Sequence, residues 1–139
     1  QAFPEIQKAW ADTVKTVQTE RMLFTPMGRR MIFLERIHDE ALDSIIAFVP
    51  QSTIGDKVAS VIYKCHEDKE WPESAHITLN IHDALIAIHK IKDKDSVTKV
   101  MKRHAESPII IRGHEVSIPT DFKHSVADEH GIHRWSTLK

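Results

Sequence analysis

The apolar positions of this chain recur at two spacings, one close to a helical turn and one close to strand alternation. Ile6, Trp10, Val14 and Val17 recur at helical spacing, with Lys8, Asp12 and Lys15 facing away. Phe3-Pro4-Glu5 opens that segment well, because Pro suits a helix's first turn and an acid suits its positive end. Leu23-Phe24-Thr25, then Pro26-Met27-Gly28, then residues 29–33 read as strand, turn and strand. From Leu34 the helical period returns. Leu34, Ile37, Ala41, Ile45 and Phe48 share one face, with Arg36, Asp39, Glu40 and Asp43 opposite. Pro50 predicts an end or a kink there. A second helix is expected to follow at once, carrying Ile54, Val58, Val61, Ile62 and Cys65 inward and exposing Gln51, Ser52 and Thr53 in its first turn.

Residues 67–72 form a charged connector, Glu-Asp-Lys-Glu-Trp-Pro. Beyond it, Thr78-Leu79-Asn80-Ile81 and Ala84-Leu85-Ile86-Ala87-Ile88 read as two strands around a charged tip, His82-Asp83. Neither tip residue is what a tight turn selects for its backbone alone. Residues 92–96 are a polar loop ending in an N-cap, Asp95 or Ser96. Val97, Val100, Met101 and Ala105 predict a third amphipathic helix, stopped before Pro108. Ile109-Ile110-Ile111, Arg112-Gly113 and residues 115–118 give a further strand pair or one bent strand. The tail from Asp121 is polar and irregular apart from Phe122 and Trp135. The expected class is α+β: antiparallel strands with helices packed on one face.

Composition narrows this picture only slightly. A chain of 139 residues, 41% hydrophobic and 28% charged, is one domain or part of one, and is neither disordered nor membrane-like in composition. Residues 1–139 contain no repeat, no low-complexity tract and no linker. A formal charge of -1 gives no global pull toward nucleic acid, so such binding would need a local basic patch. The lone Cys65 fits a reducing, intracellular setting. No apolar run approaches the roughly 18 residues of a membrane span. The chain opens with Gln1, as a processed or excised piece would.

Several groups are candidates for chemistry. There are ten histidines, but His130 with His133, and Cys65 with His66, are the close groupings, and neither has a second ligand pair at zinc-site spacing. Arg29-Arg30 after Gly28 would suit a phosphate oxygen, although such a pair also serves as an ordinary solvated strand edge. Lys90-Ile91-Lys92 and the bases between Lys99 and Arg103 read as solvated faces. Asp83 stands between apolar arms, and a rigidly held carboxylate is what a divalent cation needs. Spacing alone leaves Asp83 open between site residue and turn residue.

Three motifs taken together carry a resemblance. Gly28-Arg29-Arg30, then Pro50-Gln51-Ser52-Thr53-Ile54-Gly55-Asp56, then Asn80-Ile81-His82-Asp83-Ala84-Leu85-Ile86 occur in the order and spacing of the C-terminal part of family A DNA polymerases, phage-type members above all. The tail, with its Trp135, looks similar too. The resemblance implies a palm-type antiparallel sheet whose motif C hairpin presents Asp83 and His82 as catalytic residues. Asp83 would help to hold two Mg²⁺ ions, which activate the primer 3′-hydroxyl and stabilise the leaving oxygens. Gln51 would reach the minor groove, where acceptors are nearly the same for every base pair. Arg29 and Arg30 would contact DNA.

The sequence departs from the family pattern in two places. Ala84 stands where many relatives carry Glu, and Ala47 and Asp43 stand where Asn and Arg are common. The motif A aspartate and the fingers helix find no counterpart in these 139 residues. The resemblance therefore implies part of a DNA-replicating nucleotidyltransferase. It would be completed by an upstream polymerase segment, on the same chain or separately encoded, and would act on primer–template DNA and dNTP. The isolated chain is expected to be inactive and to bind few or no metal ions, with no membrane partner. If the source is a phage, its setting is the cytoplasm of a bacterial host. The alternatives are a non-catalytic binding or assembly module, and a segment of a single-subunit RNA polymerase, against which the Gly-Arg-Arg and Pro-Gln-Ser-Thr contexts argue.

Overall fold

A computed structural model describes residues 3–34, 37–127, 130–131 and 133–138. Arg36, expected on a polar helix face, lies outside them. The fold is α+β, and its long axis is one helix. α1 (Pro4–Glu20) runs into a short hairpin, β1 (Met22–Phe24) and β2 (Arg30–Ile32). Arg21 breaks α1 by taking a left-handed backbone, φ 58°, and its N–H donates back to the Val17 carbonyl at 3.0 Å. Of the apolar stripe on α1, only Val17 is buried; Ile6 and Trp10 remain about half exposed.

After a 3₁₀ turn at Asp39–Ala41 comes α2 (Leu42–Glu67), a single helix of 26 residues. Two expectations are corrected here. Leu34 is not part of the helix and is almost fully exposed. Pro50 neither ends the helix nor starts a second one. A proline in a helix interior removes one hydrogen bond and costs about 3 kcal/mol. That cost is offset because the helix is anchored on both sides of the proline. Ile45, Phe48 and Val49 pack before it, and Val58, Val61 and Cys65 after it. Gln51 therefore sits mid-helix, still exposed, while Thr53 is buried and its hydroxyl donates to the Val49 carbonyl at 2.6 Å. By length and composition α2 could cross a membrane, but Asp56 and Lys57 on it bond to other parts of the fold.

The second half holds β3 (His76–Ile81), β4 (Ala84–Ile88) and α3 (Lys94–Ala105), with a 3₁₀ turn at Ile91–Asp93 leading into α3. The N-cap position falls on Asp93, not on Asp95 or Ser96, and its carboxylate accepts from Ser74 Oγ at 2.6 Å instead of capping. Two further hairpins follow: β5 (Ile109–Ile111) with β6 (His114–Val116), and β7 (Ser125–Ala127) with β8 (His133–Leu138). The last pair corrects the irregular tail expected from the sequence, and Trp135 lies within β8. All four strand pairs are antiparallel and two-stranded, and among the described residues no two share a sheet.

The buried side chains form two clusters strung along α2. One gathers Val17, Leu23 and Ile45, with Phe33, Ile37 and Phe48 packed around them. The other gathers Val61, Cys65, Ala75, Val97, Val100 and Met101, with Ile77, Leu85 and Phe122 against it. The β3–β4 hairpin thus lays one face on α2 and α3. Leu79, Ile81 and Ile88 stay exposed.

Candidate functional site

The tip of the β3–β4 hairpin is built as the apolar spacing predicts. Ile81 pairs with Ala84 and Asn80 with Leu85, leaving His82-Asp83 as a two-residue loop. His82 takes φ 55°, a left-handed conformation that His tolerates better than most residues. The loop of β5–β6 does the same work with Arg112 at 51° and Gly113 at 82°. His82 therefore has a conformational role at this turn, whatever else it does. Lower in the hairpin, the register shifts between Ile77 and Leu79, making Thr78 a bulge whose hydroxyl donates to the Ile86 carbonyl at 3.4 Å.

Both tip side chains are exposed, and Asp83 borders a cavity of about 460 Å³ between the hairpin, α2 and α3. Among the described residues, no hydrogen bond or ion pair joins Asp83 to Gln51, Arg29 or Arg30. Nor do three His, Cys, Asp or Glu side chains of that set gather where they could hold one ion. Asp83 is one donor, and Ala84 beside it adds none.

The other two motifs meet directly. Arg29, following the Thr25-Pro26-Met27-Gly28 turn, reaches Asp56 Oδ1 with Nη2 at 2.6 Å and donates from Nε at 2.7 Å. Thr25 Oγ donates to the other oxygen, Oδ2, at 3.1 Å, and in turn accepts the Arg29 N–H at 3.0 Å. The hydrogen bond and the charge of Asp56 together push the Arg29 pKa above its ordinary value. The Arg29 guanidinium, expected on DNA, is thus engaged within the fold while still 54% exposed, and Arg30 beside it is exposed as well. Gln51 lies one face round the helix. It shares a shallow groove of about 390 Å³ with Asp43, Ala47 and Met31. Asp43 and Ala47 therefore sit on the same helical row as Gln51.

Residues 51–58 of α2 thus carry the second motif, bond to the first, and line the cavity that the third borders. Asp56 holds the turn before β2, Gln51 lines the groove beside Met31, and Ile54, Lys57 and Val58 border the cavity that Asp83 borders. Lys57 is the residue the sequence reading missed. Only 6% exposed, it donates from Nζ to the Ser107 carbonyl and, at 2.7 Å, to Ser107 Oγ. Burial, and then the charge of Lys64, push its pKa down. Its place four residues before Val61 was legible as an inward position; its partner, 50 residues away, was not. Among the described residues, neither the histidine pair nor the cysteine–histidine pair belongs to a group of three possible metal ligands. Cys65 is buried, its thiol pushed up to about 11, while His66 faces solvent. His133 Nδ1 lies 3.0 Å from the Ser125 carbonyl.

Comparison with protein-family models, curated proteins and solved structures gave no match.

Proposed function

We propose that this chain is the C-terminal part of a phage-type, family A DNA polymerase domain, with Asp83 as one carboxylate of its metal clamp. The observation that carries the reading is the bond between the first two motifs, Arg29 to Asp56 across 27 residues, with Asp83 of the third on the edge of the cavity that Ile54, Lys57 and Val58 line. Gln51 and Arg30 face solvent, free to meet a duplex at the minor groove and at a phosphate. Arg29 acts one step back, fixing the turn that presents Arg30. The β3–β4 hairpin is the motif C element of a palm-type sheet. Its exposed Leu79, Ile81 and Ile88 are where further strands and covering elements would lie. The remaining metal donors and the nucleotide-gripping helix belong to an upstream segment, and no catalytic step is assigned without them.

The test is reconstitution. Joined to the coding segment upstream, or co-expressed with a separately encoded one, the chain should extend a primed template with dNTP and Mg²⁺. Asp83→Asn in that complex should lower extension by at least about 100-fold. Extension by the 139 residues alone, or an Asp83→Asn complex that still extends normally, would sink the reading.

The reading as a binding or assembly module has two observations in its favour. Arg29 is already held by Asp56, and no three His, Cys, Asp or Glu side chains gather as a possible metal site among the described residues. Mn²⁺ titration separates the two readings. Amide signals of residues 82–84 broaden first if Asp83 is a metal donor, and broadening is uniform if the tip is an ordinary turn.

A further inference from the structure

Lys57 has no part in the polymerase reading, yet no other charged side chain among the described residues is buried. A buried lysine ordinarily pairs with a carboxylate. Here both acceptors are neutral and both belong to Ser107: its carbonyl, and its Oγ at 2.7 Å. Among the described residues Lys57 has no other bond or ion pair. Ser107 directs its own proton to the His104 carbonyl at 2.8 Å, so its Oγ accepts from Lys57 and is not the nucleophile of the pair. A neutral amine has two N–H groups, one fewer than the ammonium. These two acceptors match them and leave the lone pair free to react. Burial, and then the charge of Lys64, push the Lys57 pKa down, in the direction of that neutral form.

Lys57 also lines the cavity beneath the hairpin, whose volume of about 460 Å³ lies within the roughly 300–1,000 Å³ of small-molecule sites. Val58, Val61, Leu85, Val97, Met101 and Phe122 make its walls mainly apolar. The charges of the lining cancel, because Lys57 and Lys123 stand with Asp83 and Asp121. Burial, then Lys94 and His89, hold His124 toward its neutral form. Such a lining favours an uncharged, apolar guest over an ion of either sign.

We propose that Lys57 is a reactive amine and that the cavity presents to it a neutral, apolar aldehyde, which it takes as a Schiff base. The lysine stem lies in the cavity wall, and a turn about its last side-chain bonds carries Nζ from Ser107 to the carbonyl carbon. The Nζ lone pair forms the new C–N bond. The carbonyl oxygen then takes both amine protons and leaves as water, giving C=N. The cavity's apolar walls hold the aldehyde's body beside the amine. The assignment stands apart from the polymerase reading and needs neither DNA nor metal.

The test uses the full chain with octanal and sodium cyanoborohydride, which delivers hydride to the imine carbon and leaves a stable secondary amine. Peptide mass mapping then gives the labelling rate of each lysine. Lys57 should be labelled at least about tenfold faster than the exposed Lys69 and Lys92, because a bound carbonyl reacts from within the site. Octan-1-ol fills the same space but forms no imine, so it should suppress the Lys57 adduct and spare the other two. Octanoate and octyltrimethylammonium, equally long but charged, should protect Lys57 about tenfold less well. Unchanged far-UV dichroism establishes that the labelled chain stays folded. The proposal is overturned if Lys57 is labelled no faster than Lys69 and Lys92, if octan-1-ol leaves its rate unchanged, or if either charged competitor protects as well as the alcohol.

Discussion

The two ends of α2 solve the same packing problem with different resources. At its N-terminal end three buried side chains, Val17, Leu23 and Ile45, hold α1 and the β1–β2 hairpin, and much of α1 stays in water. At its C-terminal end six buried side chains join α3 and the β3–β4 hairpin. There polar bonds close the edges as well. Lys57 donates to Ser107, and Asp68 takes both Arg103 at 2.8 Å and His104 at 2.7 Å. Glu70 adds Lys99 at 3.1 Å and Arg103 at 3.2 Å. The C-terminal end is a small core in its own right, and the N-terminal end depends on the helix that the core extends to it.

The largest test of that asymmetry puts a charge into each cluster. Val100→Asp buries an unpaired carboxylate where the side chain is fully enclosed, costing roughly 5 kcal/mol or more against a total stability of about 5–15 kcal/mol. It should unfold the whole chain, with loss of amide dispersion throughout. Val17→Asp, at a position just as buried, should release only α1 and β1–β2. Hydrogen exchange should then still protect Val61, Val97 and Val100. Equal loss of protection at both ends would show one cooperative unit instead of two unequal ones.

A smaller effect is expected from Asp56→Ala, which cuts the tie between α2 and the turn before β2. Thr25 is buried, and losing its carboxylate acceptor should cost about 1 kcal/mol. The Arg29 pair adds little, because its guanidinium is half exposed. Exchange should quicken at Met22–Phe24 and Arg30–Ile32 while the C-terminal cluster stays unchanged.

Local chemistry made much of this legible in the sequence, and long-range chemistry made the rest illegible. The Pro-Met-Gly turn, the apolar arms about His82-Asp83 and the period of Val97, Val100 and Met101 each specify an element within a dozen residues, and each element forms. Pro50 misled for the opposite reason. Its local signal is strong, but packing on both sides, by residues as distant as Val17 and Phe122, decides the outcome. Lys57 stands at an inward spacing, but a lysine reads as solvent-facing until its partner is known. At the site, the sequence placed Asp83 on a hairpin tip and Gln51 on an exposed face. It could not show that Arg29 closes onto Asp56, since only the fold brings those two within 2.6 Å.

The finest probe of the comparison is pH, because among the described residues the two carboxylates held below the ordinary range, Asp68 and Glu70, both belong to the C-terminal end. For Asp68 the main cause is the Glu70 backbone N–H, then the His104 hydrogen bond; for Glu70 it is Lys99, then Arg103. Lowered folded values mean that the unfolded chain takes up these protons first as pH falls. Their stabilisation is therefore fully present above the ordinary carboxylate pKa near 4 and is lost as pH falls through the lower folded values. Glu70 is solvated and its pairs are screened, so its share should be small and should shrink in salt, while Asp68, its side chain 14% exposed, should carry more of the effect. Between pH 5 and pH 2, exchange protection at Val97 and Val100 should fall, and more steeply than in Asp68→Asn, which removes the titrating group. A variant whose acid dependence matches the parent's would show that Asp68 merely decorates the junction of α2 and α3. The C-terminal end would then owe its strength to its six buried side chains alone.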